Sequence, residues 1–516
     1  MPKLTLYLYC FVLFIITDNS LAQQYPFKFG KPSLEDLKKT TCDFYPEASS
    51  MVLAEKGYLR FEYNNSKGWR YTLTSQIRKK IFKKTDVYQG TVRIFVYNPI
   101  NSNSEESIYG FKDYSYNLEG NKISKEKINS REFNKRRVND YFVEVNYPIP
   151  NIKSGTVIEY QYNLKSDYLN NLRTWTFQQD IPVAYSEFTY TIPEWFHYQN
   201  NQLGNSIQGQ WTSETVQEKF TIRYKTDIDR SNTFKKNVYE SFDLESNSIK
   251  KKGIFKNIPP IKDEPFITNE VDIPSRLEFQ LNTIKFPHSK IEQVAGDYES
   301  FNKDLLKNSE LGEHLNKGNF IKDKIPGIEK MELTEKSNAI FKHLQNHFSW
   351  NKKHRYFSSN SGRSAYNKKE GSVADINLSL IAALRHFDIP AVPIILSTRG
   401  HGTIHPFYSN YEEFNYLIAG IEIDGKMFLM DASSNLPFGH LPEKCRNGKG
   451  WIVDKQKSGW IDLKKDSKYD VMTLLNYEIQ EDTLTVNVSQ QRKNYAGFKK
   501  MNALKQTTTE AFKGKS

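Results

Sequence analysis

The stretch Gly371–Asp431 constrains the fold of this chain more than any other part of the sequence. Ser372 and Asp375 stand three residues apart, the spacing of a helix N-cap and its capping-box partner. The residues that follow, up to about Phe387, are apolar on most sides. Since a helix without a polar face must be covered by other elements, we expect a buried helix here.

Strand patterns follow this helix directly. A short turn leads to Ile389–Ile395, which is typical of a core strand, and two further apolar runs lie at Tyr416–Ile423 and Met427–Met430. The last two are joined by Asp424-Gly425, a dipeptide that strongly favours a tight hairpin. Asp431 comes directly after the second hairpin strand.

This order of helix, strand, hairpin and aspartate resembles the transglutaminase-like superfamily, which has the papain-type architecture. Members carry a cysteine at the start of the helix, a histidine at the start of the hairpin and an aspartate at its end. The resemblance places Val373, within Gly371–Asp375, at the cysteine position and Asn415, within Phe414-Asn415-Tyr416, at the histidine position. Asp431 matches the aspartate.

Two of the three chemical roles are therefore absent, since valine has no nucleophilic atom and an asparagine amide is not a base near neutral pH. Four residues could in principle supply the missing nucleophile or base. Ser372 is more readily explained as the N-cap, and Cys445 lies beyond the hairpin on another element. His401 and His405 lie in a glycine-bearing loop that could approach a cleft. The sequence predicts no catalytic residue.

Other site predictions are few. His343 and His347 have the spacing of a zinc-binding pair on a helix, but no third ligand follows, so we interpret them as packing histidines and expect no metal or cofactor. For a binding cleft the candidates are the residues around the degenerate site: Ser372, Asp375, Trp350 and Tyr416.

The N-terminal half has the pattern of an antiparallel β-sandwich. Short alternating runs such as Thr91–Tyr97 and Val157–Tyr162 are separated by turn residues. This half resembles an uncharacterised β-rich module that precedes transglutaminase-like domains in exported proteins of Gram-negative bacteria. The resemblance is carried by four stretches: Tyr116–Lys122, Gly155–Tyr160, Trp175–Pro182 and Ile192–Glu194.

The predicted fold class is α+β, with an N-terminal antiparallel β-sandwich and a papain-like transglutaminase core. We expect five segments along the chain. They are a signal peptide (1–22), the β-sandwich module (23–249), a connector with helices (250–325), the transglutaminase-like domain (326–455) and a partial C-terminal β-rich segment (456–516).

Charge argues against a nucleic-acid partner. The net charge is +12, but lysines are interspersed with aspartates and glutamates and form no arginine-rich stripe. Apart from the N-terminal apolar run, no segment is long and apolar enough for a membrane span. Cys42 and Cys445 remain in the mature chain, and the sequence leaves open whether they pair.

These observations favour a non-catalytic binding or scaffold protein of the bacterial cell envelope, whose partner is a peptide, protein or glycan. The alternative is an active hydrolase or acyl transferase with a displaced nucleophile such as Ser372. The residue at position 373 distinguishes the two hypotheses.

Export gives the first testable prediction. Lys3, the uncharged apolar run Leu4–Ile16 and the small residues of Ser20-Leu21-Ala22 form a signal-peptide pattern, so the protein is expected in the periplasm or at the outer cell surface. N-terminal sequencing of protein recovered from its native cell should begin near Gln23. Recovery of intact Met1 in a cytosolic fraction would contradict this.

Overall fold

The computed structural model describes residues 27–506 except 101, 128–132, 139–140, 171, 227–237, 263–268, 295, 405–410 and 465–467. The predicted signal peptide lies outside the described residues. Contacts divide the chain into two units that alternate along the sequence. The first is drawn from Met1–Leu169, Phe177–Pro193 and Ile207–Pro260, and the second from Asn170–Thr176, Glu194–Ser206 and Ile261–Ser516.

The described part of the chain forms β-strands and α-helices with the following bounds. The strands are β1 Ser50–Asn64, β2 Gly68–Ile81, β3 Thr91–Tyr97, β4 Glu106–Glu119, β5 Lys122–Glu126, β6 Asn134–Arg137, β7 Phe142–Pro148, β8 Val157–Ser166, β9 Trp175–Thr176, β10 Val183–Ile192, β11 Phe196–Leu203, β12 Gln210–Thr226, β13 Val238–Ile258, β14 Arg276–Ile284, β15 Glu292–Gln293, β16 Ser349–Trp350, β17 Glu370–Gly371, β18 Ala391–Leu396, β19 Tyr416–Ile423, β20 Lys426–Met430, β21 Lys449–Ile452, β22 Gly459–Asp462, β23 Tyr469–Gln480 and β24 Thr483–Lys493. The helices are α1 Leu34–Lys38, α2 Tyr298–Lys307, α3 Leu333–His347, α4 Gly362–Lys368, α5 Val373–His386 and α6 Asn494–Gln506.

The first unit is β-rich. Eight strands form one sheet in the order β12-β13-β10-β1-β2-β8-β4-β5, and β3, β7 and β6 form a second sheet in the order β3-β7-β6. All neighbours are antiparallel except β1 and β10, which run parallel. Along β3 the side chains alternate between exposed and buried, as its sequence predicts.

The second unit surrounds helix α5. The helix lies against β18 and β19 of a five-stranded sheet ordered β20-β19-β18-β21-β22, and α3 and α4 also contact it. Twelve of its fourteen residues, Val373 through Leu384, are buried. The hairpin of β19 and β20 turns at Asp424 and Gly425, whose φ angles of 50° and 72° are both positive, as a two-residue hairpin loop of this type requires. The predicted α+β class is confirmed.

The segment predicted as a connector with helices (250–325) begins in a strand and contains helix α2. Lys250–Ile258 is the end of strand β13, which pairs with both β10 and β12. Lys250, Lys251 and Lys252 lie in this strand, and Phe255 of the same strand is fully buried. The first α-helix of the segment, α2, begins at Tyr298 and has Asp297 as its N-cap. Among the described helices, none is long and apolar enough to cross a membrane.

Near the C-terminus, β23 and β24 form a two-stranded antiparallel hairpin. The pairing places Leu475 opposite Val488, Tyr477 opposite Val486 and Ile479 opposite Leu484. These six apolar side chains share one face and are each at least 45% exposed.

Candidate functional site

The start of helix α5 has the cap that the sequence predicts. The Ser372 hydroxyl accepts a hydrogen bond from the Asp375 backbone N–H, and the Asp375 carboxylate accepts one from the Ser372 backbone N–H. Both residues are buried, at 0% and 1% exposure. Ser372 thus has a structural role that occupies its hydroxyl and removes it from solvent.

Asp375 also ties a neighbouring loop to the helix. Its carboxylate accepts hydrogen bonds from the Ser358 hydroxyl at 2.6 Å and from the backbone N–H groups of Ser359 and Asn360 at 2.9 and 3.1 Å. Burial opposes ionisation of this carboxyl, but the hydrogen bonds from Ser358 and Ser372 outweigh it and hold the pKa of Asp375 below its usual value.

At the end of the hairpin, Asp431 is fully buried and accepts several hydrogen bonds. Asn377 of helix α5 donates to Oδ1 at 2.8 Å, and the Tyr416 hydroxyl donates to Oδ2 at 2.8 Å. The backbone N–H and hydroxyl of Ser433 donate to Oδ1 at 3.0 and 2.6 Å. The carboxylate is therefore held by the helix, the first hairpin strand and its own turn together.

The Asn377 side chain connects the helix to the hairpin through both its amide nitrogen and its amide oxygen. Its Nδ2 group donates to the Leu417 carbonyl as well as to Asp431, and its Oδ1 accepts the Ala432 N–H at 2.9 Å. The sequence carries a signal for this residue that the predictions above missed. Asn377 is a polar residue in the most apolar part of the helix, one turn after Val373.

The structure corrects the assignment of Asn415 to the histidine position. The Asn415 side chain is directed to Thr398, where its Oδ1 accepts the backbone N–H and its Nδ2 donates to the hydroxyl, both at 2.9 Å. The side chain that reaches Asp431 from the start of β19 belongs to Tyr416. Because neighbouring residues of a strand point to opposite faces, an error of one position exchanges the two roles.

Tyr416 is chemically unlike an imidazole in this position. Its hydroxyl donates to Asp431 as an imidazole N–H would, but burial, and then the Asp431 carboxylate, raise the pKa of the Tyr416 phenol far above its ordinary value. The phenol stays protonated and offers no base near neutral pH. Val373 belongs to the same buried cluster as Tyr416 and is itself 0% exposed.

Cys445 lies closer to this centre than the sequence suggests. It belongs to the same cluster as Val373 and Tyr416 and is 0% exposed. Burial, followed by the charge of Asp431, raises the pKa of the Cys445 thiol well above its ordinary value. An inaccessible, protonated thiol is unreactive. Both Cys445 and Cys42, which lies in the core of the first unit, are free.

A lysine lies over the centre formed by Tyr416 and Asp431. The Lys444 ammonium lies 4.4 Å from the ring centre of Trp350 and 4.9 Å from that of Tyr416. It is also 3.0 Å from Nε2 of His354, whose ring stacks on Trp350 at 5.4 Å. We call Trp350, His354, Tyr416 and Lys444 the lysine cage, a cation–π arrangement within the chain itself.

Burial and neighbouring positive charge keep the His354 imidazole of this cage neutral. Burial lowers the pKa of His354 from 6.5 to about 4, with further contributions from the positive charges of Lys444 and His401. Neutral Nε2 can then accept a hydrogen bond from the Lys444 ammonium. In the loop that follows β18, His401 Nδ1 lies 3.1 Å from the Ser397 hydroxyl. His405 lies outside the described residues.

The other predicted site residues differ in their exposure and in their contacts. Of the four cleft candidates, Ser372, Asp375 and Tyr416 are buried, and Trp350 is partly exposed. His343 and His347 stack on Tyr366, and their Nε2 atoms contact its hydroxyl and its carbonyl at 2.8 and 2.7 Å. Over the described ranges, no group of three His, Cys, Asp or Glu residues could hold a metal ion.

Comparison with known proteins agrees with this geometry. The profile of the Transglutaminase-like superfamily matches residues 321–453, so the second unit contains a transglutaminase-like domain. A structure from Parabacteroides distasonis, described as a candidate protease, superposes with a TM-score of 0.51 at 15% identity, over 83% of this chain and 77% of that chain. A likeness at this identity shows a shared fold.

Two further solved structures were compared. A candidate cysteine protease from Cytophaga hutchinsonii has a TM-score of 0.20 at 9% identity and covers 78% of this chain and 93% of that chain. A candidate nutrient binding protein from Legionella pneumophila has a TM-score of 0.19 at 7% identity and covers 59% of this chain and 83% of that chain. Scores this low carry no argument. No curated protein matches the chain.

Replacement of Asp431 by alanine should destabilise the transglutaminase-like domain by about 1–3 kcal/mol, because the buried Asn377 and Tyr416 donors would lose their acceptor. Urea denaturation followed by tryptophan fluorescence measures this. Glu422→Ala in the same hairpin removes only an exposed ion pair with Lys457 and should cost about 0–1 kcal/mol. Equal midpoints for Asp431→Ala and the parent would contradict the structural role.

His354 should make stability depend on pH. Its pKa is depressed on folding, so between pH 6.5 and about 4 the unfolded chain binds a proton that the folded chain refuses, and stability falls as pH falls. His354→Gln keeps an acceptor for Lys444 and does not titrate. Thermal midpoints of parent and variant, measured across this window, should converge or cross as pH decreases. Curves that stay parallel would show that His354 does not contribute.

Proposed function

We propose that this protein is a non-catalytic, transglutaminase-like binding or scaffold protein of the bacterial cell envelope. One observation carries the proposal: the positions that need a thiol and an imidazole hold Val373 and Tyr416, both buried and unable to attack a carbonyl or relay a proton. The aspartate that would orient the imidazole is retained and serves instead as a hydrogen-bond acceptor between elements.

The displaced nucleophiles Ser372 and Cys445 do not meet the requirements of acyl transfer. A nucleophile must be accessible and within hydrogen-bond reach of a base. Ser372 is buried and bonded to Asp375, and the Cys445 thiol is buried with a raised pKa. These facts weigh against the alternative of a hydrolase or acyl transferase with a displaced nucleophile.

The lysine cage supports a binding role for the same cleft. Lys444 places a positive charge on the partly exposed Trp350, next to His354. An indole beside an ammonium suits an envelope peptide or glycan that combines a flat or apolar face with an acidic group. The predicted signal peptide and the exported context of the resembling module support an envelope location.

Restoring the missing groups provides the sharpest test. The parent should show no transglutaminase, peptidase or amidase activity beyond background. In Val373→Cys with Tyr416→His, the thiol at the helix start and the imidazole facing Asp431 should form an activated pair. We expect alkylation by iodoacetamide to be about tenfold faster than in Val373→Cys alone, where the thiol is buried beside Tyr416 and stays protonated, because the smaller imidazole opens this cluster and raises the thiolate fraction. Peptide mass mapping assigns the reacting thiol.

Asn415 supplies the matched control. Val373→Cys with Asn415→His should react no faster than Val373→Cys alone, because the side chain at position 415 is directed to Thr398. Activation by Asn415→His instead of Tyr416→His would overturn the assignment of Tyr416. The proposed function itself fails if the parent turns over an acyl donor and Ser372→Ala abolishes that turnover.

A further inference from the structure

The first unit contains a cavity that the transglutaminase-like domain does not use. It has a volume of about 480 Å³ and lies between the small sheet β3-β7-β6 and the start of β4. Val96 of β3 and Val143 and Val145 of β7 line the cavity from the small sheet, and Tyr109 and Phe111 line it from β4.

A local irregularity of β4 builds one wall of this cavity. The pairing of β4 with β8 shifts register between Tyr109 and Lys112, so that Gly110 and Phe111 form a β-bulge. Gly110 has a φ of +66°, and a Cβ there would approach Asn163 Nδ2 at 2.8 Å. Bulges redirect side chains, and here Phe111 stacks on Tyr147 of β7 with ring centres 3.6 Å apart.

Packed sheets normally close the space between them, so an open cavity of this size with aromatic walls departs from ordinary packing. Its volume falls within the range of about 300–1,000 Å³ typical of small-molecule sites, which are also mainly apolar with a few polar groups. Phe133 at the rim remains 42% exposed, as does Tyr109, so the aromatic surface is accessible.

The polar groups of the cavity indicate the charge and the hydrogen-bonding groups that a ligand should carry. Glu106 is 6% exposed, lines the cavity and accepts the Tyr97 N–H at 2.7 Å, and Glu105 lies beside it. The ammonium of Lys135, the basic residue at the rim, lies 5.5 Å from the ring centre of Phe133. The cavity wall therefore contains hydrogen-bond acceptors. They favour a ligand with a hydrogen-bond donor over a ligand with a carboxylate or sulfonate.

We infer that the first unit binds a small, flat, apolar molecule that carries a neutral or cationic hydrogen-bond donor, in the cavity between β4 and the small sheet. This site is separate from the lysine cage, and its occupation does not depend on the proposed function.

N-Phenyl-1-naphthylamine is a suitable probe, because it is flat, apolar and has one N–H donor. Added to the full-length protein, it should show a saturable rise in fluorescence. Val96→Trp fills the cavity and should weaken the saturable binding by about tenfold or more, the change that corresponds to about 1.4 kcal/mol. Phe95→Trp is the matched control, because Phe95 is 44% exposed and its side chain lies on the face of β3 opposite to Val96. The Phe95→Trp variant should bind the probe as the parent does.

Three outcomes overturn the inference. They are the absence of saturable binding, equal binding by parent and a folded Val96→Trp variant, and tighter binding of the sulfonated analogue 1-anilinonaphthalene-8-sulfonate than of the neutral amine. Circular dichroism shows whether Val96→Trp folds. If it does not, Phe111→Ala decides, because it removes the aromatic wall without adding atoms: unchanged affinity in that variant also rejects the site. Probe bound to the exposed C-terminal hairpin is common to all variants and cancels in the comparison.

Discussion

A buried carboxylate organises the transglutaminase-like domain. Asp431 is withdrawn from water, which is costly unless donors replace its hydration. Helix α5 supplies one donor through Asn377, strand β19 another through Tyr416, and the turn after β20 the rest. The helix, the sheet and the turn must therefore adopt their relative positions together, since each is needed to solvate the same charge. An apolar residue in place of Asn377 would leave both Asp431 and the Ala432 N–H short of a partner.

The same geometry shows how a phenol serves at this position. The Tyr416 hydroxyl donates to Asp431, as an imidazole N–H could, so the contact between the first hairpin strand and the carboxylate is made by a side chain that stays protonated. Valine at the helix start adds an apolar contact to the cluster around Tyr416 and Ile418. The space above these residues is occupied by Lys444, whose charge is shared between two aromatic rings and a neutral His354. Each of these side chains makes buried or aromatic contacts within the domain.

Local sequence rules predict much of this domain. The features that they miss depend on contacts between residues that are distant in sequence. The capping box at Ser372, the buried helix and the Asp424-Gly425 turn each depend on neighbouring residues, and all three are present. The role of Tyr416 required knowledge of which face of β19 meets the helix, and a one-residue ambiguity there reverses every side chain. Lys444 is far in sequence from Trp350 and His354, so no spacing predicts their contact. The end of strand β13 is likewise predicted as the start of a connector, because the consecutive lysines Lys250–Lys252 hide the strand pattern around the buried Phe255.

The amphipathic hairpin β23–β24 has a consequence for the behaviour of the protein in solution. Among the described strands, β23 and β24 pair only with each other, so their outer edges lie open beside an apolar face that includes Tyr477 and Ile479. Such a surface is a template for strand pairing between molecules, and the positive net charge of the chain opposes it. Added salt screens that repulsion while strengthening apolar association. Colloidal stability of the purified protein should therefore decline as ionic strength rises, opposite to the usual effect of salting a basic protein into solution.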